Sequence, residues 1–165
     1  MAPLLRTYQQ LSRRPFGRWL LSRAVCFKAP YFASIAPRFE SLDAGRCVVS
    51  MPDRRRVRNH IGTVHAIALC NLAELAAGVM TDASLPRAMR WIPKGMTVES
   101  LAKARGRMRV TATPAVAMPE AESAYALPVD VGVHDVAGTV VFRARIDMWV
   151  TPATRHAARA TPAAA

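Results

Sequence analysis

The stretch RNHIGTVHAIALCNLAELAAGVM, residues 58–80, joins a polar entry loop to the longest apolar run of the chain. Residues 64–80 contain no proline and, apart from Gly78, only residues that a helix tolerates, so they predict a helix of about five turns. Its apolar side chains leave no solvated face, which predicts burial on nearly every side. A membrane span would need about 20 apolar residues. Because Asn71 and Glu74 interrupt the run, we expect the helix to be wrapped by other structure instead.

These two polar residues lie three positions apart and therefore on one side of the helix. On a helix that is buried all round, they predict a buried polar stripe. An unpartnered carboxylate in such a place is costly or stays protonated. Glu74 is therefore expected either to hydrogen-bond Asn71 or the backbone as part of the scaffold, or to serve a chemical purpose.

The same stretch resembles a known family. Asn59, Gly62 and His65 form the pattern N-x-x-G-x-x-H, and Glu74 follows nine positions later. This pattern resembles the hotdog-fold acyl-CoA thioesterases of the phenylacetate-pathway type, and it looks still more like an uncharacterised hotdog branch. The similarity covers residues 32–150.

The resemblance implies an α+β hotdog fold, with a long central helix wrapped by an antiparallel sheet. It also implies that the backbone N–H after the histidine holds the thioester oxygen and that a helix acid is the catalytic carboxylate. The catalytic residues implied in this way are Glu74, Asn59, His65 and Ala66, and Gly62 and Asn71 are expected to contact substrate. Where the family usually has two glycines, this chain has Ala66 and Ile67.

Arginine carries most of the net charge of +12, and it is dense just before the entry loop, at positions 54, 55, 56 and 58. Guanidinium groups pair well with phosphates. Arg54, Arg55, Arg56 and Arg58 could therefore bind the phosphates of coenzyme A, although a solvated loop of charges is an equally good interpretation. No stacking aromatics interleave with them, so we expect no nucleic-acid partner.

The N-terminal segment, residues 1–30, predicts two short amphipathic helices. Leu4, Leu5, Tyr8 and Leu11 recur at helical spacing, and the set Phe16, Trp19, Leu20, Ala24 and Phe27 does so again after Pro15. Large aromatics favour packing on the domain, and contact with an anionic membrane surface is the less favoured alternative. Arginines break any signal-peptide core, and we expect a cytoplasmic protein.

Strand patterns dominate residues 31–151, which we expect to form the hotdog domain. They predict strands at residues 31–42, 46–51, 107–113 and 125–136, a bent strand at 87–101, and a last strand that ends at Val150. One buried helix between antiparallel strands independently gives an α+β domain. Residues 152–165 have no apolar period and are expected to be a disordered tail.

The sequence lacks the residue patterns that metal, phosphate-loop, serine-hydrolase and dehydratase sites require. The three cysteines and four histidines show no ligand spacing, so we expect no metal and no cofactor beyond coenzyme A within the substrate. The phosphate-loop and G-x-S-x-G motifs are missing from the sequence. Hotdog dehydratases use an Asp and His pair, and His65 has no such aspartate. Thioester hydrolysis is therefore preferred.

The favoured function is that of an acyl-CoA thioesterase with a helix glutamate and an oxyanion site at the helix N-terminus. The alternative is a hotdog protein that binds acyl-CoA or a fatty acyl group without turnover, and Ala66 and Ile67 in place of glycines favour it. An acyl-carrier thioester is an equally open substrate. A short wrapped sheet leaves an unpaired edge, so we expect a homodimer or dimer of dimers. By resemblance, the site lies between the subunits.

Overall fold

The computed structural model describes residues 3–153, which form three α-helices and one six-stranded antiparallel sheet. The helices are α1 (Pro3–Ser12), α2 (Gly17–Lys28) and α3 (Ala66–Ser84). The strands are β1 (Arg38–Asp43), β2 (Arg46–Met51), β3 (Met89–Ser100), β4 (Met108–Pro114), β5 (Tyr125–His134) and β6 (Val140–Pro152). The sheet order is β1-β2-β4-β5-β6-β3, so β1 and β3 are its two edges.

The central helix α3 packs across the sheet against β4, β2 and β5. By length and composition it could cross a membrane, but about two thirds of its apolar window (67%) is buried inside the domain. Its far end is tied to the β1–β2 turn, because the backbone N–H of Gly45 donates to Ser84 Oγ at 2.8 Å. A long helix wrapped by an antiparallel sheet is the hotdog fold, and the prediction of that fold is confirmed.

The strand predictions agree closely with the sheet. In β4 the buried positions are Met108, Val110 and Ala112, as the two-residue period predicts. The predicted bend at Pro93 and Gly95 is a shift of register between β3 and β6. The last strand buries the predicted face, which consists of Phe142, Ala144, Ile146, Met148 and Val150. It ends at Pro152, and residues 154–165 of the predicted tail lie outside the described residues.

The predicted strand at residues 31–42 is wrong over its first half. Pro30–Ile35 is a 3-10 helix, and the strand begins only at Arg38. Proline at the first position favours a helical start because it lacks the N–H that would be unpaired there. Ala36 then adopts the left-handed conformation (φ 46°) and ends the turn before Pro37. This 3-10 helix packs on α3 instead of joining the sheet.

The two N-terminal helices are confirmed, but the packing predicted for the second one is wrong. In α1 the predicted residues Leu5 and Tyr8 are buried. In α2 the buried side chains are Leu21, Ser22 and Cys26, and the aromatics that were expected in the core face solvent. The helix carries apolar residues on both sides, and helical spacing does not specify which side meets the domain.

Candidate active site at the start of the central helix

The entry loop is held by the side chain of Asn59. Its Oδ1 accepts hydrogen bonds from the backbone N–H groups of Ile61 and Thr63, and its Nδ2 donates to Thr63 Oγ1 at 2.9 Å. Gly62 has φ 77°, a conformation that a side chain would strain. Both residues therefore shape the loop that leads into α3. The catalytic role predicted for Asn59 and the substrate contact predicted for Gly62 stay predictions.

His65 is the N-cap of α3. Its Nδ1 accepts a hydrogen bond from the N–H of Ile67 at 3.1 Å. An accepting Nδ1 carries no proton, so in the neutral ring the proton is on Nε2, where it can be donated. The side chain is exposed and lines a cavity of about 380 Å³ beside the helix start. His65 thus caps the helix and also lines that cavity.

The backbone N–H of Ala66 stays unpaired within the described chain at this capped helix start. His65 satisfies Ile67, and the N–H groups of Ala68 and Leu69 donate to the carbonyl of His65. Among residues 3–153, the N–H of Ala66 has no acceptor, and Ala66 itself is exposed. An unpaired N–H at the positive end of a helix favours a developing negative charge. It is the amide that the resemblance places at the thioester oxygen.

Glu74 does not belong to a buried stripe, and that prediction is wrong. Asn71 is buried, but Glu74 is exposed, and within residues 3–153 its carboxylate makes no hydrogen bond and no ion pair. Ile67, two turns earlier on the same face, is 59% exposed. The sheet, the 3-10 helix Pro30–Ile35 and α1 pack on the rest of α3 and leave this one face open. Glu74 has no scaffolding partner within the described chain.

Asn71 lies under the 3-10 helix and makes no hydrogen bond with Glu74. Its Nδ2 donates to Ser34 Oγ at 3.1 Å, and its Oδ1 is buried without a hydrogen-bond partner among the described residues. Buried polar atoms are normally paired, so an unpaired acceptor needs an explanation. Both Asn71 and Ser34 line the cavity at the helix start. The unpaired oxygen could therefore accept a hydrogen bond from a bound molecule.

The four arginines of the loop divide into two groups. Arg58 Nε donates to Asp53 Oδ1 at 2.7 Å, and Asp53 Oδ2 accepts the N–H of Gly106 at 3.0 Å. The hydrogen bond from Arg58 lowers the pKa of Asp53 below its usual range. Arg58 is thus engaged in holding the loop to the segment before β4.

The other three arginines of the loop are exposed, and within residues 3–153 they make no ion pair. These three are Arg54, Arg55 and Arg56. Arg56 lines the cavity together with Arg58. Both interpretations of them, phosphate binding and a solvated loop, remain open.

Larger hollows lie away from the helix start, and two of them border α3 or α2. One of about 910 Å³ lies by the far end of α3 and is lined by Trp91 and Trp149. The other, of about 1010 Å³, runs between α2 and β1. Neither contains the residues of the entry loop. In the described part of the chain, no group of three or more His, Cys, Asp and Glu side chains is placed to hold a metal.

A family model described as "Domain of unknown function (DUF4442)" matches residues 17–150. The chain belongs to this family. The match covers α2, α3 and all six strands almost to the end of β6. The DUF4442 description itself specifies no activity. No curated protein matches the sequence.

Solved structures extend the comparison of this DUF4442 protein. A structural-genomics crystal structure is 49% identical, with a TM-score of 0.77, and the match covers 91% of this chain and 97% of that one. A Pseudomonas aeruginosa protein described as of unknown function and a probable thioesterase is 26% identical, with a TM-score of 0.70 over 81% and 95% of the chains. A thioesterase from Haemophilus influenzae is 14% identical, with a TM-score of 0.71 over 88% and 97%, and shows the fold alone.

Proposed function

We propose that this DUF4442 protein hydrolyses acyl thioesters, with coenzyme A as the thiol, at the start of α3. The observation that carries the proposal is the unpaired N–H of Ala66 at the helix N-terminus, on the same helix as an exposed Glu74 that has no partner within residues 3–153. The 26% identical relative that is described as a probable thioesterase supports the same reaction class.

The chemistry follows from these two groups. The thioester oxygen accepts a hydrogen bond from the N–H of Ala66, where the helix dipole stabilises the charge that develops on it. Glu74 takes a proton from water as the water oxygen bonds to the carbonyl carbon. The C–S bond then breaks, and the thiolate leaves and is protonated. Direct attack by the Glu74 carboxylate, followed by hydrolysis of the anhydride, is the alternative route to the same products.

The spacing along the helix supports a site that two chains share. Residues 66 and 74 are eight positions apart, which is about 12 Å along a helix axis. This distance favours a reacting thioester that lies between the Ala66 amide of one copy and Glu74 of another. The open face of α3 and the unpaired edge strand β3 supply the surface for a second copy. On β3, Ile92 and Val98 are exposed. We therefore propose a homodimer, or a dimer of dimers, as the active form.

The arginine loop would hold the coenzyme A part of the substrate. Arg54, Arg55 and Arg56 are exposed beside the site, and a guanidinium can bind a phosphate through two parallel hydrogen bonds. Arg58 is less suited to this role because it is paired with Asp53. The unpaired Oδ1 of Asn71 would accept a hydrogen bond from an amide N–H or hydroxyl of the bound substrate.

A second candidate function is acyl-CoA binding without turnover. Ile67 directly follows the proposed oxyanion amide and lines the cavity, with more than half of its side chain exposed. A branched side chain there hinders the close approach that glycine would allow. A protein of this kind would hold the same ligand and release no thiol.

The deciding experiment is a hydrolysis screen of the purified chain across acyl-CoA chain lengths, with release of free thiol as the readout. Thiol release that depends on Glu74 supports the hydrolase. Calorimetric binding of acyl-CoA without thiol release at any chain length assigns the binding function instead. If neither binding nor thiol release occurs, both proposals are wrong.

A further inference from the structure

The solvent-facing side of α2 is unusually apolar. Phe16, at its N-cap, is 81% exposed, and Phe27, in its last turn, is 90% exposed. Trp19 and Leu20 are also largely exposed. Leu20 and Phe27 lie on the side of the helix away from Leu21 and Ser22, and Trp19 lies at the border with the buried Cys26, seven positions later. Phe16, Trp19 and Leu20 line one hollow. We refer to Phe16, Trp19, Leu20 and Phe27 as the aromatic face. Contiguous exposed apolar side chains of this kind mark an interaction surface.

The backbone at Phe16 adds an independent observation. Phe16 adopts the left-handed conformation, with φ 63° and ψ 3°. Only glycine takes this conformation without strain, and an aromatic ring there gains no burial within the described chain. The fold therefore bears a local cost while it holds a large apolar side chain in solvent. Strain of this kind indicates a role outside the chain's own packing.

Cations outnumber acids around the aromatic face. Residues 3–39 contain seven exposed cations and no acid: Arg6, Arg13, Arg14, Arg18, Arg23, Lys28 and Arg38. The first acid is Glu40, and Arg109 Nε donates to its carboxylate at 2.6 Å. The hollow between α2 and β1 is lined by Arg18, Arg38 and Arg107, by Glu40, and by part of the aromatic face. Glu40 is already paired with Arg109, so the surface combines aromatic rings with an excess of cations.

We propose that the aromatic face of α2 docks on an anionic lipid bilayer. Aromatic rings favour the boundary between headgroups and acyl chains, and flanking arginines and lysines favour lipid phosphates. A second copy of the chain fits less well, because a twofold contact would bring the cations of both chains together. The helix lies at the β1 edge of the sheet, opposite the β3 edge proposed for the dimer, so both contacts can form at once.

The test is co-sedimentation of the full chain with phosphatidylcholine vesicles that do or do not contain phosphatidylglycerol. We expect binding to the anionic vesicles only, weakened by salt. The double variant Trp19→Ser, Phe27→Ser should lower partitioning at least about tenfold. Val116→Ser, Val136→Ser is the matched control, since both valines are exposed elsewhere, and it should bind as the wild type does.

Phe16→Gly separates binding from folding. Glycine relieves the left-handed strain, so the melting temperature should hold or rise while vesicle binding falls. Unchanged binding by the aromatic variants, or equal binding to neutral vesicles, would overturn the proposal. Absence of vesicle binding by the wild type would also overturn it. In that case, a smaller oligomer in the aromatic variants would assign the face to a second copy of the chain, and loss of single-stranded oligonucleotide binding would assign it to nucleic acid. None of these readouts depends on thioester hydrolysis.

Discussion

The side-chain amide of Asn71 donates to Ser34 Oγ at 3.1 Å, and its oxygen, buried in the wall of the cavity at the helix start, has no partner among residues 3–153. One hydrogen bond thus joins α3 to the 3-10 helix Pro30–Ile35. The same amide presents an acceptor to any molecule that enters the cavity. This pairing is the clearest sign that the cavity is built for a polar group.

Replacing Asn71 with Leu should therefore affect binding more than stability. The apolar side chain removes an unsatisfied buried oxygen, which offsets the loss of the bond to the half-buried Ser34. We expect a melting temperature within a few degrees of the wild type and a raised KM or Kd for acyl-CoA, measured by calorimetry and steady-state kinetics. Ser34→Ala is the control, because it removes the same hydrogen bond and keeps the Asn71 oxygen. If the wild type and Asn71→Leu bind acyl-CoA with equal affinity, Asn71 has a structural role only.

Glu74→Gln should lower thioester hydrolysis at least about a hundredfold, the usual scale for loss of a general base. Because Glu74 is exposed and has no partner among residues 3–153, the free energy of unfolding of the variant should differ from that of the wild type by no more than about 0.5 kcal/mol. Urea unfolding and thiol release measure the two effects. Glu120→Gln, at another exposed glutamate, is the matched control. Full activity in Glu74→Gln would remove Glu74 from the site.

Ala66→Pro should remove the oxyanion donor without breaking the helix. Ala66 is the first helical residue, where proline is favoured, and His65 has the extended conformation (φ −68°, ψ 138°) that precedes proline well. We expect a hydrolysis rate about 10²–10³-fold lower with unchanged circular dichroism. Ala66→Ser, which keeps the N–H, should remain active. Equal activity of the proline variant would exclude the Ala66 amide from the reaction.

Mixing the Ala66→Pro and Glu74→Gln chains tests whether two copies share a site. If each site takes its amide from one chain and its carboxylate from the other, mixed dimers carry one intact site. Random exchange should then restore about a quarter of the wild-type activity, since half of the dimers are mixed and half of their sites are intact. Activity that stays at the level of the two parent variants would place both groups in one chain, and light scattering would report the oligomer directly.

Arg55→Ala, Arg56→Ala should raise KM for acyl-CoA with little change in kcat, because phosphate contacts far from the thioester contribute equally to substrate and transition state. Added salt should mimic the substitutions. Arg13→Ala, Arg14→Ala serves as the control, since these two adjacent arginines are exposed in the turn between α1 and α2, away from the entry loop. An unchanged KM at low salt would identify the loop as a solvated run of charges.

Asp53→Asn should destabilise the protein in a pH-dependent way. Its hydrogen bond with Arg58 lowers the pKa of Asp53 in the folded state, so the carboxylate stabilises the fold above its unfolded pKa of about 3.9. That contribution is lost as pH falls through the lower folded pKa. Urea unfolding from neutral to acidic pH should therefore show the gap between wild type and Asp53→Asn closing in acid. A gap that does not change with pH would contradict the ion pair.

The sequence determined the elements that depend on local pattern. Alternation in β4 and β6 specified which side chains are buried, because a strand exposes opposite faces at successive residues. The long, mostly apolar run specified α3, and Pro93 and Gly95 marked the shift in β3. The entry-loop pattern also placed His65 and Ala66 at the helix start.

The tertiary structure alone decided which faces of α2 and α3 meet the domain. Helical spacing groups Phe16, Leu20 and Phe27 on one side of α2, but it does not reveal that Leu21 and Cys26 on the other side pack inward. In the same way, an apolar sequence around Glu74 predicted burial, whereas the elements that pack on α3 leave that face open. Burial depends on contacts between residues far apart in the chain, and local periodicity carries no information about them.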